Sequence, residues 1–262
     1  MSAWLRPPAL LLLLLAGCSS PPPEVQIAAV QPILPSPTPD PTPSPNPTIA
    51  PTSRSTPAAT PNPEPGFVLC SPLSLHPLEE LPQIIGDPYR PPPPGREERH
   101  HGVDFAYYHW RDRDTMLGEP VQAVLAGKVA TVLDDLYPYG NMVIVETPQE
   151  FLPEDLIERL QFSQGESLYL LYAHMNQTPL VTLRDAVEAC QPLGEVGMSG
   201  NTDIPHLHLE TRIGPAGTVF ESMRFYSTRA SVEEMENYVL WRTSGVYRHF
   251  DPMDLLTYRG NP

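Results

Sequence analysis

The chain has 262 residues, of which 36 are prolines, and a formal net charge of −15 at pH 7. Half of the prolines, 18, lie in the first 66 residues, so this part is too rich in proline to share a packed core with the rest, whereas residues 67–262 are enough for one domain. The negative charge argues against nucleic acid and against an anionic membrane surface as partners, because both attract lysine and arginine.

The first twenty residues have the layout of a secretory signal peptide: Arg6, an apolar run at 9–16 and then small residues. The run is too short for a transmembrane helix, which needs about 20 apolar residues. Residues 15–18, LAGC, resemble the bacterial lipobox, which implies cleavage before Cys18 and a diacylglycerol on its sulfur. An ordinary signal peptide with an incidental cysteine is the alternative. Both interpretations predict export, and the first predicts a lipid anchor to the outer face of the cell membrane or to the outer membrane.

Residues 19–66 alternate proline with serine, threonine and asparagine, and they have too few large apolar side chains to form a core. We therefore predict a lipoprotein signal peptide at 1–18, a disordered tether at 19–66 and one folded domain at 67–262. With polyproline stiffness of about 3.1 Å per residue, the tether reaches at most on the order of 150 Å.

After Phe67, short β-branched and aromatic runs broken by turn residues predict a mainly β fold with an antiparallel sheet core. The sequence YGN at 139–141 predicts a turn between two strands. Two helices are predicted outside the sheet, at 153–162 and at 231–241, where Ser231 and Glu234 have capping-box spacing. The predicted strands lie near 121–124, 128–133, 141–146, 168–173 and 206–212.

Cys70 and Cys190 are the two cysteines beyond the predicted leader. An exported chain occupies an environment where disulfides persist, so the pair is a candidate for a bridge. Two buried free thiols are the alternative, because the sequence does not show whether the Cα atoms come within reach.

The segment HLHLE at 206–210 gives the strongest local signal. Alternation in a strand places His206, His208 and Glu210 on one face and directs Leu207 and Leu209 toward the core. Histidines two apart on a strand have Cα atoms about 6.5–7 Å apart, close enough to converge on one metal. An H-x-H pattern by itself fits solvent-exposed or core histidines as well as it fits a metal site.

Two further motifs carry candidate ligands. His100 and Asp104 would lie about 13 Å apart in an extended chain, so they share a metal only if the backbone bends, as Gly102 permits. His174 ends an apolar run, where a lone histidine is more often structural. Together with the H-x-H pattern, these motifs supply what an open zinc hydrolase site requires.

In this order, H-x-x-x-D, Y-A-H and H-x-H resemble the lysostaphin/LytM family of zinc endopeptidases. The resemblance spans about residues 87–256, and the ordered set of motifs is more specific than any one of them. Four intervening segments also resemble the family: GEPVQAVLAGKV at 118–129, YGNMVI at 139–144, the stretch from DAVEACQ at 185–191 to PHLH at 205–208, and FDPM at 250–253.

The resemblance implies zinc bound by His100, Asp104 and His208, with His174 and His206 beside it as catalytic histidines. It further implies hydrolysis of peptide bonds in the cross-links of peptidoglycan by a metal-activated water. Which of the two histidines is the general base stays open, and no residue selects the bond that is cut.

Glu210 is a candidate partner of a metal ligand on the same strand face, with a solvated surface carboxylate as the alternative. Compared with the family, the chain has additional residues at 106–117, 146–165 and 214–249. His109, Asp112 and Asp114 lie in the first of these inserts, which we predict to be a solvated rim loop. The inserts should shape the substrate groove.

Two other functions are open. Some members of the family lack zinc ligands and, as wall-binding proteins, activate a separate amidase; here every expected ligand is present. A purely structural zinc is the third interpretation, but structural sites usually have four protein ligands, often cysteines, whereas this set offers three and spare histidines.

Overall fold

The computed structural model describes residues 67–93 and 95–260. The predicted signal peptide, the predicted lipidation site Cys18 and the predicted tether lie outside these residues. Across the described ranges, no helix combines the length and the apolar character that a membrane crossing requires.

Ten strands form two sheets within the described ranges, and every pairing is antiparallel. The strands are β1 Ile85–Asp87, β2 Val103–Phe105, β3 Pro120–Gln122, β4 Gly127–Leu136, β5 Gly140–Pro148, β6 Glu166–Met175, β7 Ala186–Val187, β8 Pro192–Glu195, β9 Leu207–Pro215 and β10 Arg248–Phe250. The main sheet has eight strands in the order β1-β2-β9-β6-β5-β4-β7, with β10 also paired to β9, while β3 and β8 form a small second sheet. The predicted mainly β, antiparallel fold class is therefore confirmed.

The described part of the chain also has three α-helices outside the sheet: α1 Glu154–Leu160, α2 Val232–Arg242 and α3 Pro252–Leu256. The first two occur where the sequence predicts helices. Ser231 caps α2, because its hydroxyl accepts from the backbone N–H of Glu234 while the Glu234 carboxylate accepts from the backbone N–H of Ser231.

The two central strands, β5 and β6, are buried on both faces, which explains their nearly continuous apolar sequence. Val143 and Val145 of β5 pack into one hydrophobic cluster, and Met142 and Ile144 into a second on the opposite face. The insert at 214–249 covers this second face with five buried side chains: Phe220, Met223, Tyr238, Trp241 and Tyr247.

Strand β9 brings the sequence motifs together. Asp104 of β2 pairs with His208 on one side, and Ala173 of β6, next to His174, pairs with His208 on the other. Leu207 and Leu209 are fully buried in the first cluster, as the alternation predicts. The polar side chains of β9 therefore face the side of the sheet that the insert covers.

Gly102 lets β2 approach β9 closely. A Cβ at this position would lie 2.3 Å from the carbonyl oxygen of Leu209. Gly102 does not have a positive φ, so glycine is needed here for the close approach of two strands rather than for an unusual backbone bend.

Cys70 and Cys190 are joined by a disulfide, with Cα atoms 5.5 Å apart. Their backbone N–H groups donate to the adjacent carbonyls of Val124 and Ala123, so the bridge lies across one segment of chain.

Candidate metal centre

His100, Asp104 and His208 converge on one point at the edge of the insert-covered face. Each offers one ligand atom, and the three atoms lie within 4.8 Å of one another. His100 Nε2 lies 3.0 Å from Asp104 Oδ1 and 3.1 Å from His208 Nδ1, and His208 Nδ1 lies 2.7 Å from Asp104 Oδ1. Two strands and the segment before β2 thus assemble the predicted ligand set.

This donor set fits a zinc ion. Zinc takes imidazole nitrogen and carboxylate oxygen at about 2.0–2.2 Å, which in a tetrahedral site places neighbouring ligand atoms about 3.3 Å apart, close to the observed 2.7–3.1 Å. Three protein ligands leave the fourth position open, as in catalytic rather than structural sites.

Four histidines lie at the site, namely His100, His174, His206 and His208, and backbone carbonyls orient the first three rings. Since a carbonyl only accepts, each of these rings carries its proton on Nδ1 and has Nε2 free of it when neutral. The three bonds run from His100 to Pro88 (3.0 Å), from His174 to Ser199 (2.7 Å) and from His206 to Ile204 (3.0 Å).

His174 and His206 lie beside the ligand set and next to each other. Their ring centroids are 4.7 Å apart, and His206 Nε2 lies 3.5 Å from Asp104 Oδ1. Burial, followed by the neighbouring rings of His208 and His206, lowers the pKa of His174 to about 3. Burial also lowers the pKa of His206. Both imidazoles are therefore neutral at pH 7, the form that accepts a proton.

The fourth ring, His208, is oriented by a carboxylate instead. Its Nε2–H donates to Glu210 Oε1 at 3.1 Å, which leaves Nδ1 toward Asp104 and His100. Burial alone would lower the pKa of His208, but Asp104 and Glu210 raise it to about 9. The negative charges of Asp104 and Glu210, which stabilise a proton on this ring, also stabilise a metal cation bound to it.

Glu210 is fully buried, so it is not a solvated surface carboxylate. Burial alone would raise its pKa, but Arg212, His208 and Arg242 hold the pKa well below its usual value. Six donor atoms saturate its two oxygens. Oε1 accepts from His208 Nε2, Tyr139 OH and Arg242 Nη1, and Oε2 accepts from Trp241 Nε1 and from Arg212 Nε and Nη2.

The sequence interpretation missed the residues that hold Glu210. A signal existed for Arg212, because the alternation that selects His206, His208 and Glu210 continues to it. No local pattern points to Trp241 or Arg242, which are 31 and 32 residues away from Glu210.

A groove of about 1000 Å³ opens over the three candidate ligands and the two neighbouring histidines. Asp114 and Thr115 of the first insert and Tyr226 of the insert at 214–249 line it. His109, Asp112 and Asp114 are exposed, and His109 Nδ1 lies 2.8 Å from Asp114 Oδ1. These three side chains thus lie in a solvated rim and none of them joins the ligand set, whereas Met116 of the same insert is buried.

The fold and the site define a mainly antiparallel β protein with an open His₂Asp ligand set. Residues 157–220 match the family model described as Peptidase family M23. This segment contains the strands from β6 to β9, and with them His174, His206 and His208. The match confirms the resemblance to the lysostaphin/LytM type of peptidase. No curated protein matches the chain.

Among solved structures, the chain is similar to the catalytic domain of lysostaphin from Staphylococcus simulans, with 23% identity over 70% of this chain and 99% of that one and a TM-score of 0.39. It is also similar to a peptidase M23 from Pseudomonas aeruginosa, with 25% identity over 49% of this chain and 42% of that one and a TM-score of 0.31. A third similar structure is a zinc-containing peptidase from Vibrio cholerae, with 24% identity over 48% of this chain and 32% of that one and a TM-score of 0.33. The chain thus spans less than half the length of the last two proteins.

Proposed function

We propose that the protein is a zinc-dependent endopeptidase that hydrolyses peptide bonds in the cross-links of peptidoglycan. The observation that supports this function most directly is the convergence of His100, Asp104 and His208, with two neutral histidines beside them in an open groove. The match to Peptidase family M23 supports the same class of reaction.

Each residue has a role that follows from its geometry. His100 Nε2, His208 Nδ1 and an oxygen of Asp104 would hold zinc, which when bound supplies a Lewis acid and lowers the pKa of water toward neutrality. His174 and His206 have Nδ1 engaged by backbone carbonyls, so Nε2 is the nitrogen available for proton transfer. A neutral imidazole in this place takes a proton from the attacking water and returns one to the leaving amine.

The substrate and location follow from the same proposal. Peptide stems or cross-bridges of peptidoglycan would bind in the groove, and the predicted leader would place the enzyme in the cell envelope, attached to a membrane through its lipid anchor only. No nucleic-acid partner is proposed, in keeping with the net charge of −15.

Digestion of purified peptidoglycan tests this function. Two wall types, with glycyl bridges and with direct D-Ala-diaminopimelate cross-links, are incubated with the protein and the products are identified by mass spectrometry. Cleavage of one of them, lost in His208→Ala and on adding a chelator, is the expected result. The matched control is His109→Ala, which removes an exposed histidine and should cleave as the wild type does.

A zinc-loaded protein that cuts neither wall type contradicts the peptidase and favours the second candidate, a noncatalytic wall-binding protein that activates a separate amidase. The retained ligand set is the observation against that candidate. Well-folded protein that binds no zinc rejects both the proposed cofactor and the proposed reaction.

A further inference from the structure

Helix α2 belongs to the insert at 214–249, yet its last two residues contact the metal centre. Trp241 Nε1 donates to Glu210 Oε2 at 3.1 Å, and Arg242 Nη1 donates to Glu210 Oε1 at 2.8 Å. Glu210 Oε1 in turn accepts from Nε2 of His208 at 3.1 Å. A continuous chain of hydrogen bonds therefore connects the insert to a proposed zinc ligand.

The donors are divided between the two oxygens of Glu210, and Arg242 binds the oxygen that accepts from His208. Arg212 binds only Oε2, through Nε and Nη2. Oε1, the oxygen that receives the His208 proton, is held by Arg242 and by the hydroxyl of Tyr139. Arg242 also donates to that hydroxyl at 3.3 Å. Loss of Arg242 therefore removes the only charged donor, apart from His208 itself, from the oxygen that orients the ligand and leaves the Tyr139 hydroxyl, while Arg212 retains the other oxygen.

These contacts are desolvated. Glu210 and Trp241 are fully buried, and the Arg242 side chain is 14% exposed. In such surroundings a charge-assisted bond has little competition from water, and the carboxylate direction is fixed. A fixed carboxylate keeps the proton of His208 on Nε2 and presents the lone pair of Nδ1 to the metal position. Such an outer partner fixes the orientation of the ligand ring and raises its basicity.

We propose that Arg242, with Trp241, is a positioning residue for the zinc ligand His208. The insert at 214–249 thereby contributes to the metal centre and sets its affinity for zinc. The inference rests on the proposed zinc site. Arg242 acts on the ring only through Glu210, and this dependence separates positioning from general support of the fold.

Zinc affinity of the full chain, measured by competition with a chromogenic chelator, tests the inference. Arg242→Met should raise the Kd for zinc by about 10- to 100-fold, the usual effect of losing an outer partner of a ligand, and Arg242→Lys should recover part of it. The matched control is Arg248→Met in the same insert, which breaks a bond of similar length, 2.9 Å, to Glu166 away from the site. Its Kd should stay within about twofold of the wild type.

The double variant Glu210→Gln/Arg242→Met provides a second readout. If Arg242 acts through Glu210, adding Arg242→Met to Glu210→Gln should change the Kd by less than about threefold. Independent, multiplying effects, or a single Arg242→Met variant that binds zinc as the wild type does, overturn the inference. Should Arg242→Met fail to fold, Arg242→Lys decides: it keeps the positive charge but loses the guanidinium that donates to both Glu210 and Tyr139, and an unchanged Kd rejects the positioning role. A wild-type chain without zinc affinity rejects the zinc site itself.

Discussion

Two histidines of the site differ from the proposed ligands in what they contact, although all lie within one groove. His174 and His206 are held by backbone carbonyls through Nδ1, and neither is one of the three converging ligands. Their side chains therefore remain available to move protons, whereas His208 is committed on both nitrogens, to Glu210 and to the ligand set.

This difference predicts separate effects of three alanine substitutions. His174→Ala and His206→Ala should each lower kcat/KM for peptidoglycan cleavage by about 10²- to 10⁴-fold, the usual share of a general acid or base, while zinc is retained. His208→Ala should abolish both cleavage and zinc binding. Kinetics and metal analysis on the same preparations check this. Loss of zinc in His174→Ala or His206→Ala would instead make that residue a ligand.

His249 is a partly buried residue of β10, and it gives the fold a pH dependence of its own. The hydroxyl of Tyr89 is hydrogen-bonded to its Nδ1 at 2.6 Å, the ring of His101 lies 5.1 Å away, and Arg212, Arg242 and Glu210 are the charged groups that influence it. Burial, followed by Arg212, lowers the pKa of His249 to about 4.

The unfolded chain binds a proton at this position below about pH 6.5, the ordinary value, and the folded chain does not until about pH 4. The free energy of unfolding should therefore fall as the pH is lowered through this window. The slope is at most about 1.4 kcal/mol per pH unit and smaller for a partly exposed ring. His249→Gln should lose less stability between pH 7 and pH 5 than the wild type, as measured by urea unfolding with chelator present. His109→Gln, at an exposed position, serves as the control; equal losses in all three proteins would refute the assignment.

At the scale of elements, the pairing of β2 with β9 decides whether the ligands meet. A methyl group at Gly102 would lie 2.3 Å from the Leu209 carbonyl oxygen and 3.0 Å from His208 Cε1. Gly102→Ala should therefore cost about 1–3 kcal/mol, as overpacking does, and should weaken zinc binding because Asp104 moves with β2.

Gly217→Ala is the control for Gly102→Ala, since its added Cβ meets nothing within 4 Å, although its φ of +75° brings some strain. Urea unfolding and chelator competition on both variants separate the two effects. An unchanged zinc Kd in Gly102→Ala would show that the close approach does not position Asp104.

The elements of the sheet were more predictable from the sequence than the environment of the site. Alternation along 206–210 was enough to place His208 and Glu210 on one face of β9, because side chains in a strand alternate strictly. The burial of Glu210 was not predictable, since the side chains that cover it come from α2, about 30 residues later in the sequence. The meeting of His100 with Asp104 likewise depends on the path of an irregular segment before β2, for which residue spacing gives only an upper distance.

Within the described residues, the main sheet is covered on both faces, by two different parts of the chain. One face packs against the N-terminal part of the domain, including Leu73 and Leu81, and the other against the insert at 214–249. The candidate metal centre lies on the second face, where the groove opens. The insert therefore contributes to stability through its buried aromatic residues and to the site through the end of α2, and a variant of this insert must be measured for both.

The disulfide fastens the N-terminal cover to the rest of the domain. Cys70 and Cys190 are 120 residues apart in sequence, and closing a loop of this length in the unfolded chain stabilises a fold by about 2–5 kcal/mol. Cys70→Ala/Cys190→Ala should lower the free energy of unfolding by this amount, while the zinc Kd stays the same because neither cysteine lines the groove. Urea unfolding of the double variant, of the oxidised wild type and of the wild type in reductant checks this. The double variant should match the reduced protein, and equal stability of all three would mean that the bridge adds nothing to the fold.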